Sequence, residues 1–241
     1  DKQLECFAAA LKDYGYFLPA RIGIADAFLK LGRYAEALAE YKALVNGYGL
    51  TTYRSQLARL ELKATLAQPG KRNWEAFEAA LGPVPDRTPE LNILMAESLL
   101  NRDPPDAEKA KALIEGALAK EPRNVNAWLT LARLFSRGNA PEADKFLDQM
   151  DKQLGDTVDV RLARSVVLVN RTRLPNPQEF KKLATGAEKF EKEERRRLFL
   201  GLSEASTRAA LIVDDAEAKN LRNLAIDFLR SAAELDPADL L

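Results

Sequence analysis

The chain has 241 residues, of which 46% are apolar and 30% are charged, and this composition excludes an intrinsically disordered chain. Lys plus Arg equals Asp plus Glu at 36 each, which argues against a chain built for general attraction to phosphates or membrane surfaces. Histidine is absent and Cys6 is the single cysteine, so the commonest general base, an intramolecular disulfide and a cysteine-cluster metal site are excluded.

The chain begins with the pattern of one isolated helix. A single apolar face predicts a helix over residues 2–14, formed by Leu4, Phe7, Ala8 and Leu11. We interpret it as the second helix of a pair whose first helix lies outside the sequence. Because the sequence also starts without Met or a signal-peptide pattern, we expect a piece of a longer protein and favour a cytoplasmic location. No apolar run reaches the roughly 18 residues of a membrane helix, so we expect no membrane insertion.

The next stretch, residues 19–47, predicts two helices joined by a tight turn. Pro19 suits the first turn of a helix, where its missing N–H costs little. Gly32 suits the turn, because a tight helix–helix connection needs a left-handed residue. Small residues let the two helices approach, and aromatic residues fill the space around them. The pattern consists of Ile24, Ala25, Phe28, Tyr34, Ala37 and Tyr41.

Five further helix pairs follow, separated by proline and glycine breaks. They cover residues 52–81, 89–122, 124–154, 156–190 and 192–237. The pair over residues 124–154 is the clearest, because an apolar face at i, i+3, i+4 and i+7 is formed by Trp128, Leu131, Ala132 and Phe135.

The pair over residues 156–190 has a weaker pattern. Leu174 and the prolines after it form its predicted turn. One apolar stripe then predicts a second helix that reaches Phe190, formed by Phe180, Leu183, Ala187 and Phe190.

The spacing of these pairs is regular. Their first helices start near residues 19, 53, 89, 125, 157 and 192, about 32 to 36 residues apart. Large Trp128, small Ala132, large Phe135 and small Ala143 occupy the positions of the tetratricopeptide repeat, whose period is about 34 residues, and the chain resembles that family. The resemblance implies an all-α fold: one continuous right-handed superhelical solenoid of antiparallel helix pairs, with about 12–13 helices and the first helix of each pair on the concave face.

The resemblance also implies a non-catalytic scaffold or adaptor that binds a peptide or partner segment in the concave groove. Groove positions in the pair over residues 124–154 fall at Asn126, Leu129, Thr130, Arg133 and Arg137. Arg161 and Arg164 occupy the places of Thr130 and Arg133 in the next pair. We therefore expect Arg133, Arg161 and Arg164 to share a basic surface that captures an acidic segment.

Three alternatives stay open. Residues 161–197 carry eleven Lys or Arg against five Asp or Glu, and this basic stretch is either a binding surface or only a solvated face. A helical-repeat module that binds RNA is an alternative, since Arg195, Arg196 and Arg197 could contact phosphates. A structural spacer or oligomerisation array is the third.

We expect no catalysis, cofactor or metal. Adjacent carboxylates such as Asp214 and Asp215 do not face each other on a helix, and Asp214 stands where a helix N-cap is needed. Cys6 lies on a helix stripe without a histidine to activate it, which predicts a buried, inert thiol. No glycine-rich phosphate loop is present.

Overall fold

The computed structural model describes residues 2–14, 16–68, 70, 72–136, 140–170 and 175–236. In these ranges the chain forms thirteen α-helices and no strand, which confirms the all-α fold class. No described helix combines the length and apolarity that crossing a bilayer requires. The helices are α1 (Lys2–Asp13), α2 (Leu18–Lys30), α3 (Tyr34–Lys42), α4 (Arg54–Leu66), α5 (Trp74–Leu81), α6 (Pro89–Leu100), α7 (Ala107–Lys120), α8 (Val125–Ser136), α9 (Ala140–Leu154), α10 (Val158–Asn170), α11 (Pro177–Ala184), α12 (Lys192–Ala209) and α13 (Asp215–Leu235).

The helices form two compact units, residues 1–113 and residues 114–241. In the first unit α2 packs against α1 and α3, and α4 packs against α3, α5 and α6. In the second unit helices that follow each other in the chain pack together from α8 to α13. Three further contacts join alternate helices of this unit: α8 with α10, α10 with α12 and, less extensively, α11 with α13. One uninterrupted superhelix, and the repeat boundaries drawn from the sequence, stay predictions.

Turn and capping residues determine where several helices begin or end. Gly32 has φ +71° between α2 and α3, as the tight turn was predicted to require. The Asp214 carboxylate accepts a hydrogen bond from the Glu217 N–H at 3.1 Å and caps α13, which confirms its predicted N-cap role. The Thr88 hydroxyl caps α6 in the same way, accepting from the Leu91 N–H.

Most of the predicted packing positions lie in the core, but the prediction is wrong for Tyr34: as the first residue of α3 it is 43% exposed, and its ring contacts the Lys63 ammonium. Ala25, Ala37 and Tyr41 are buried in the first unit. In the second unit the Phe146 ring lies 5.2 Å from the Trp128 ring, centre to centre. The Trp128 indole N–H, buried with its ring, donates to the Pro122 carbonyl at 2.8 Å, so its polar group is satisfied.

The second helix of the pair over residues 156–190 is shorter than predicted. We expected it to continue to Phe190, but α11 ends at Ala184. Gly186 has φ +68°, a left-handed conformation that ends an α-helix, and a 3-10 turn over Ala187–Lys189 follows. The apolar positions Phe180 and Ala187 are still buried. The periodicity therefore identified buried residues correctly but hid the break between them.

Candidate functional site

Arg161 stabilises the end of α11 and does not belong to an open binding surface. Its guanidinium donates two parallel hydrogen bonds to the Asp156 carboxylate, Nε to Oδ1 at 2.7 Å and Nη2 to Oδ2 at 2.8 Å. The remaining Nη1 donates to the carbonyls of Leu183 at 2.9 Å and Thr185 at 2.7 Å. The side chain is only 11% exposed. The expectation that Arg161 lines a groove is therefore wrong, because its donors are already used inside the protein.

The same network changes the acidity of Asp156. The hydrogen bonds from Arg161 hold the pKa of the Asp156 carboxyl well below its usual value, and partial burial opposes this effect. The Lys189 ammonium also pairs with this carboxylate and lowers its pKa further. In turn, Asp156 raises the pKa of the Arg161 guanidinium. Two cations of the basic stretch thus share one acid of the same chain.

Arg164 is also directed at an internal acid. Its Nη2 lies 3.3 Å from an Asp151 oxygen and 3.5 Å from an Asp148 oxygen, and both acids belong to α9. Arg161 reaches the end of α11, whereas Arg164 reaches α9, so the two side chains contact different helices. Arg161 and Arg164 are therefore both paired with acids of this chain and do not form the open basic surface that the repeat positions predicted.

The five groove positions predicted on and after α8 have different surroundings. Thr130 is buried, with 4% of its surface exposed, and its hydroxyl donates to the Asn126 carbonyl at 2.9 Å. Thr130 therefore cannot present its side chain to a partner, which corrects that prediction. Asn126 and Arg133 are exposed and Leu129 is half-buried. Arg137 lies outside the described residues.

A pocket lies between α10 and α12, apart from the binding positions that the sequence predicted. It encloses about 230 Å³ and is open to solvent. Apolar residues form most of its wall, and polar residues stand among and around them. The lining residues are Leu162, Ser165, Val166, Val169, Asn170, Gly201, Glu204, Ala205 and Arg208.

A glycine in the middle of α12 shapes this pocket. An ideal β-carbon at Gly201 would lie 2.4 Å from Leu162 Cδ2, so no larger residue fits there unless Leu162 moves. Gly201 therefore lets α12 come close to the Leu162 side chain on α10. A glycine between large residues inside a predicted helix was the one sequence signal that could have indicated this pocket.

The polar groups around the pocket are paired with each other or with the backbone. Arg208 Nη2 lies 2.5 Å from Glu204 Oε1, and both side chains are 65% exposed. The Asn170 amide donates from Nδ2 to the Val166 carbonyl at 2.8 Å, and the Ser165 hydroxyl donates to the Leu162 carbonyl at 2.7 Å. The arrangement combines an apolar interior with a mouth that carries one positive and one negative charge.

Metal binding gains no candidate from the described residues. In that part of the chain no three acids or cysteines come together as a metal site would require. Cys6 is exposed, so the prediction of a buried thiol was wrong. The α1 helix turns Phe7 inward, where its ring packs against Gly23, and leaves Cys6 on the outer side.

Comparison with known proteins finds one family. Residues 105–165 match the family model described as "Tetratricopeptide repeat". The matched segment contains the whole of α7, α8 and α9 and ends within α10. No curated protein matches the chain.

Proposed function

We propose that this chain is a non-catalytic interaction module that binds a partner protein segment along α8, α10 and α12, because residues 105–165 match the tetratricopeptide repeat model. Tetratricopeptide repeats generally mediate protein–protein interaction, and the resemblance seen in the sequence is confirmed for this segment. The specific surface and the nature of the segment are the proposal.

The observation that supports this surface is the side-by-side packing of the first helices. In the second unit α10 contacts α8 on one side and α12 on the other. Three neighbouring helices form a surface long enough for a peptide segment of several residues. The pocket between α10 and α12 opens on this set of helices and gives a bound segment a place to insert a side chain.

The charged part of the proposed surface is on α8. Asn126 and Arg133 are exposed there, and Leu129 between them is half-buried. An acidic residue of the partner would have to replace the contact that Arg133 already makes within the chain. Arg164 contributes only if the partner's carboxylate replaces Asp148 or Asp151, which already contact it. Arg161 takes no part, because removing its internal contacts would expose the end of α11.

Selection of peptides from a displayed random library on the whole chain tests this proposal. We expect enriched peptides to bind with an affinity that Arg133→Glu lowers at least several-fold, measured by fluorescence anisotropy. Arg230→Glu on α13 is the matched control, because Arg230 is 73% exposed and the substitution changes the charge by the same amount. Peptides that bind equally to both variants contradict the α8 surface.

A titration with single-stranded RNA separates this function from the nucleic-acid alternative. Binding to RNA phosphates weakens steeply as salt rises, because each contacted phosphate releases its counterions. Within the basic stretch, Arg197 pairs with Asp159 at 2.8 Å and Lys189 pairs with Asp156, so these two cations already have acidic partners. Salt-sensitive RNA affinity together with a library that yields no peptide would contradict the proposed function.

A further inference from the structure

The geometry points to a specific anchor: the pocket between α10 and α12 binds one uncharged aliphatic side chain, such as Leu, Ile or Met, from the partner segment. This inference rests on the proposed function and adds the chemical class of the residue that is recognised. It also assigns roles to Gly201, Glu204 and Arg208, which neither the repeat pattern nor the family match indicates.

The size of the pocket favours a side chain over a small molecule. Its volume of about 230 Å³ lies below the roughly 300–1,000 Å³ of small-molecule sites. Its apolar wall comes from Leu162, Val166 and Val169 on α10 and from Ala205 on α12. Burial of a Leu-sized side chain against such a wall contributes about 1.5–3 kcal/mol, which suits an anchor within a longer peptide.

The charges at the mouth favour an uncharged residue. Glu204 and Arg208 form an ion pair, so the mouth has no net charge that would attract an acidic or basic side chain. A charged side chain in the apolar interior would lose its hydration without a partner of opposite charge. The polar groups at the mouth suit the peptide backbone beside the anchor. The Asn170 Nδ2 is held by the Val166 carbonyl, and Asn170 Oδ1 is an acceptor for a peptide N–H.

Gly201 keeps the pocket open. A β-carbon at position 201 would displace the end of the Leu162 side chain, and the empty volume beside Leu162 is the pocket itself. Gly201→Ala therefore rotates Leu162 into the space that the anchor needs. Gly116 in α7 offers a matched control, because it is also inside a helix and a β-carbon there meets nothing within 4 Å.

Methyl NMR of the whole chain, labelled at Leu and Val methyl groups, tests this inference directly. The probe is N-acetyl-leucine N′-methylamide, which carries one aliphatic side chain between two peptide groups. We expect saturable shifts at Leu162, Val166 and Val169, which the equivalent aspartate derivative does not produce. Gly201→Ala should lower the affinity for the probe at least tenfold, whereas Gly116→Ala should leave that affinity unchanged. Equal binding to the two variants, or shifts elsewhere on the chain, overturns the inference.

A thermodynamic cycle with a library-selected peptide separates this inference from the proposed function. We expect replacement of the peptide's aliphatic residue by Ala to cost affinity on the unchanged chain but little on Gly201→Ala. If the peptide substitution and Gly201→Ala lower the affinity additively, the inference about the anchor is overturned. The peptide's binding would still support the proposed function. If no peptide binds, the proposed function fails, and the leucine derivative alone decides what the pocket binds.

Discussion

A terminal methyl carbon of Leu162 occupies the space that a side chain at Gly201 would need, since an ideal β-carbon at position 201 lies 2.4 Å from Leu162 Cδ2. The two residues belong to α10 and α12, two helices that pack against each other. Their contact sets how closely these helices approach, and the pocket lies beside it.

Gly201→Ala should be less stable than Gly116→Ala, although both place alanine inside a helix. Alanine favours a helix over glycine by about 1 kcal/mol, so Gly116→Ala should raise the free energy of unfolding by up to that amount. At position 201 the displaced Leu162 loses packing and is pushed from its preferred rotamer, which should cancel the gain.

Urea unfolding of both variants checks this prediction. Trp74 is replaced by Phe in every protein compared, so that the fluorescence comes from Trp128 alone. Trp128 belongs to the second unit, which contains both glycines. We expect the midpoint to rise for Gly116→Ala and to fall or stay constant for Gly201→Ala. Equal increases would mean that Leu162 does not restrict position 201.

Arg161→Gln should lower the free energy of unfolding by about 2–3 kcal/mol. The change removes a two-point ion pair with Asp156 and the donors to the carbonyls of Leu183 and Thr185. Arg161→Lys should lose less stability, because a lysine keeps the charge. It should still lose some, because a lysine cannot donate in the same forked geometry. Arg230→Gln on α13 is the control and should change stability by less than about 0.5 kcal/mol, since that pair is exposed. Chemical denaturation of the three variants measures the series, and a similar loss in all of them contradicts the role given to Arg161.

Asp156 should make the protein less stable as the solution becomes acidic. The pKa of the folded-state carboxyl is lowered, so the folded protein binds its proton less readily than the unfolded chain. The stabilising contribution is present above the unfolded pKa of about 3.9 and is lost as pH falls from there toward the lower folded pKa. Asp156→Asn should therefore show a smaller loss of stability between pH 5 and pH 2.5 than the unchanged chain, measured by thermal unfolding. Equal losses of stability in the variant and the unchanged chain would show that Asp156 does not contribute to the loss at acid pH.

Tyr41 should affect stability at the opposite end of the pH scale. Burial, followed by the hydrogen bond to Asp26, raises the pKa of the Tyr41 phenol well above its usual value. The contribution is present below the unfolded pKa of about 10 and is lost as pH rises toward the folded pKa. Tyr41→Phe should lower the free energy of unfolding by about 1 kcal/mol at neutral pH. Above pH 10 this variant should lose less further stability than the unchanged chain. Urea unfolding at pH 7 and pH 10.5 checks both values, and an unchanged alkaline loss contradicts the assignment.

Much of the fold could be predicted because its causes are local. The 3.6-residue period identified the helices, and Gly32 and Asp214 indicated a turn and a cap through their own backbone and side-chain chemistry. Burial of Trp128 and Ala132 followed from their place on one helical face. The break after α11 was missed, because Phe180 and Ala187 are both buried whether or not the helix continues between them.

The candidate site depended on contacts that no local pattern encodes. Arg161 and Leu162 are neighbours in sequence, but successive residues point about 100° apart around a helix, so one side chain holds the end of α11 while the other lines the pocket against α12. The sequence by itself determined an all-α chain with helix pairs, its turns and much of its core, since these follow from backbone propensity and hydrophobic periodicity. Only the tertiary structure decided which arginines are occupied by internal acids and where a pocket opens, because both depend on which helices lie beside each face.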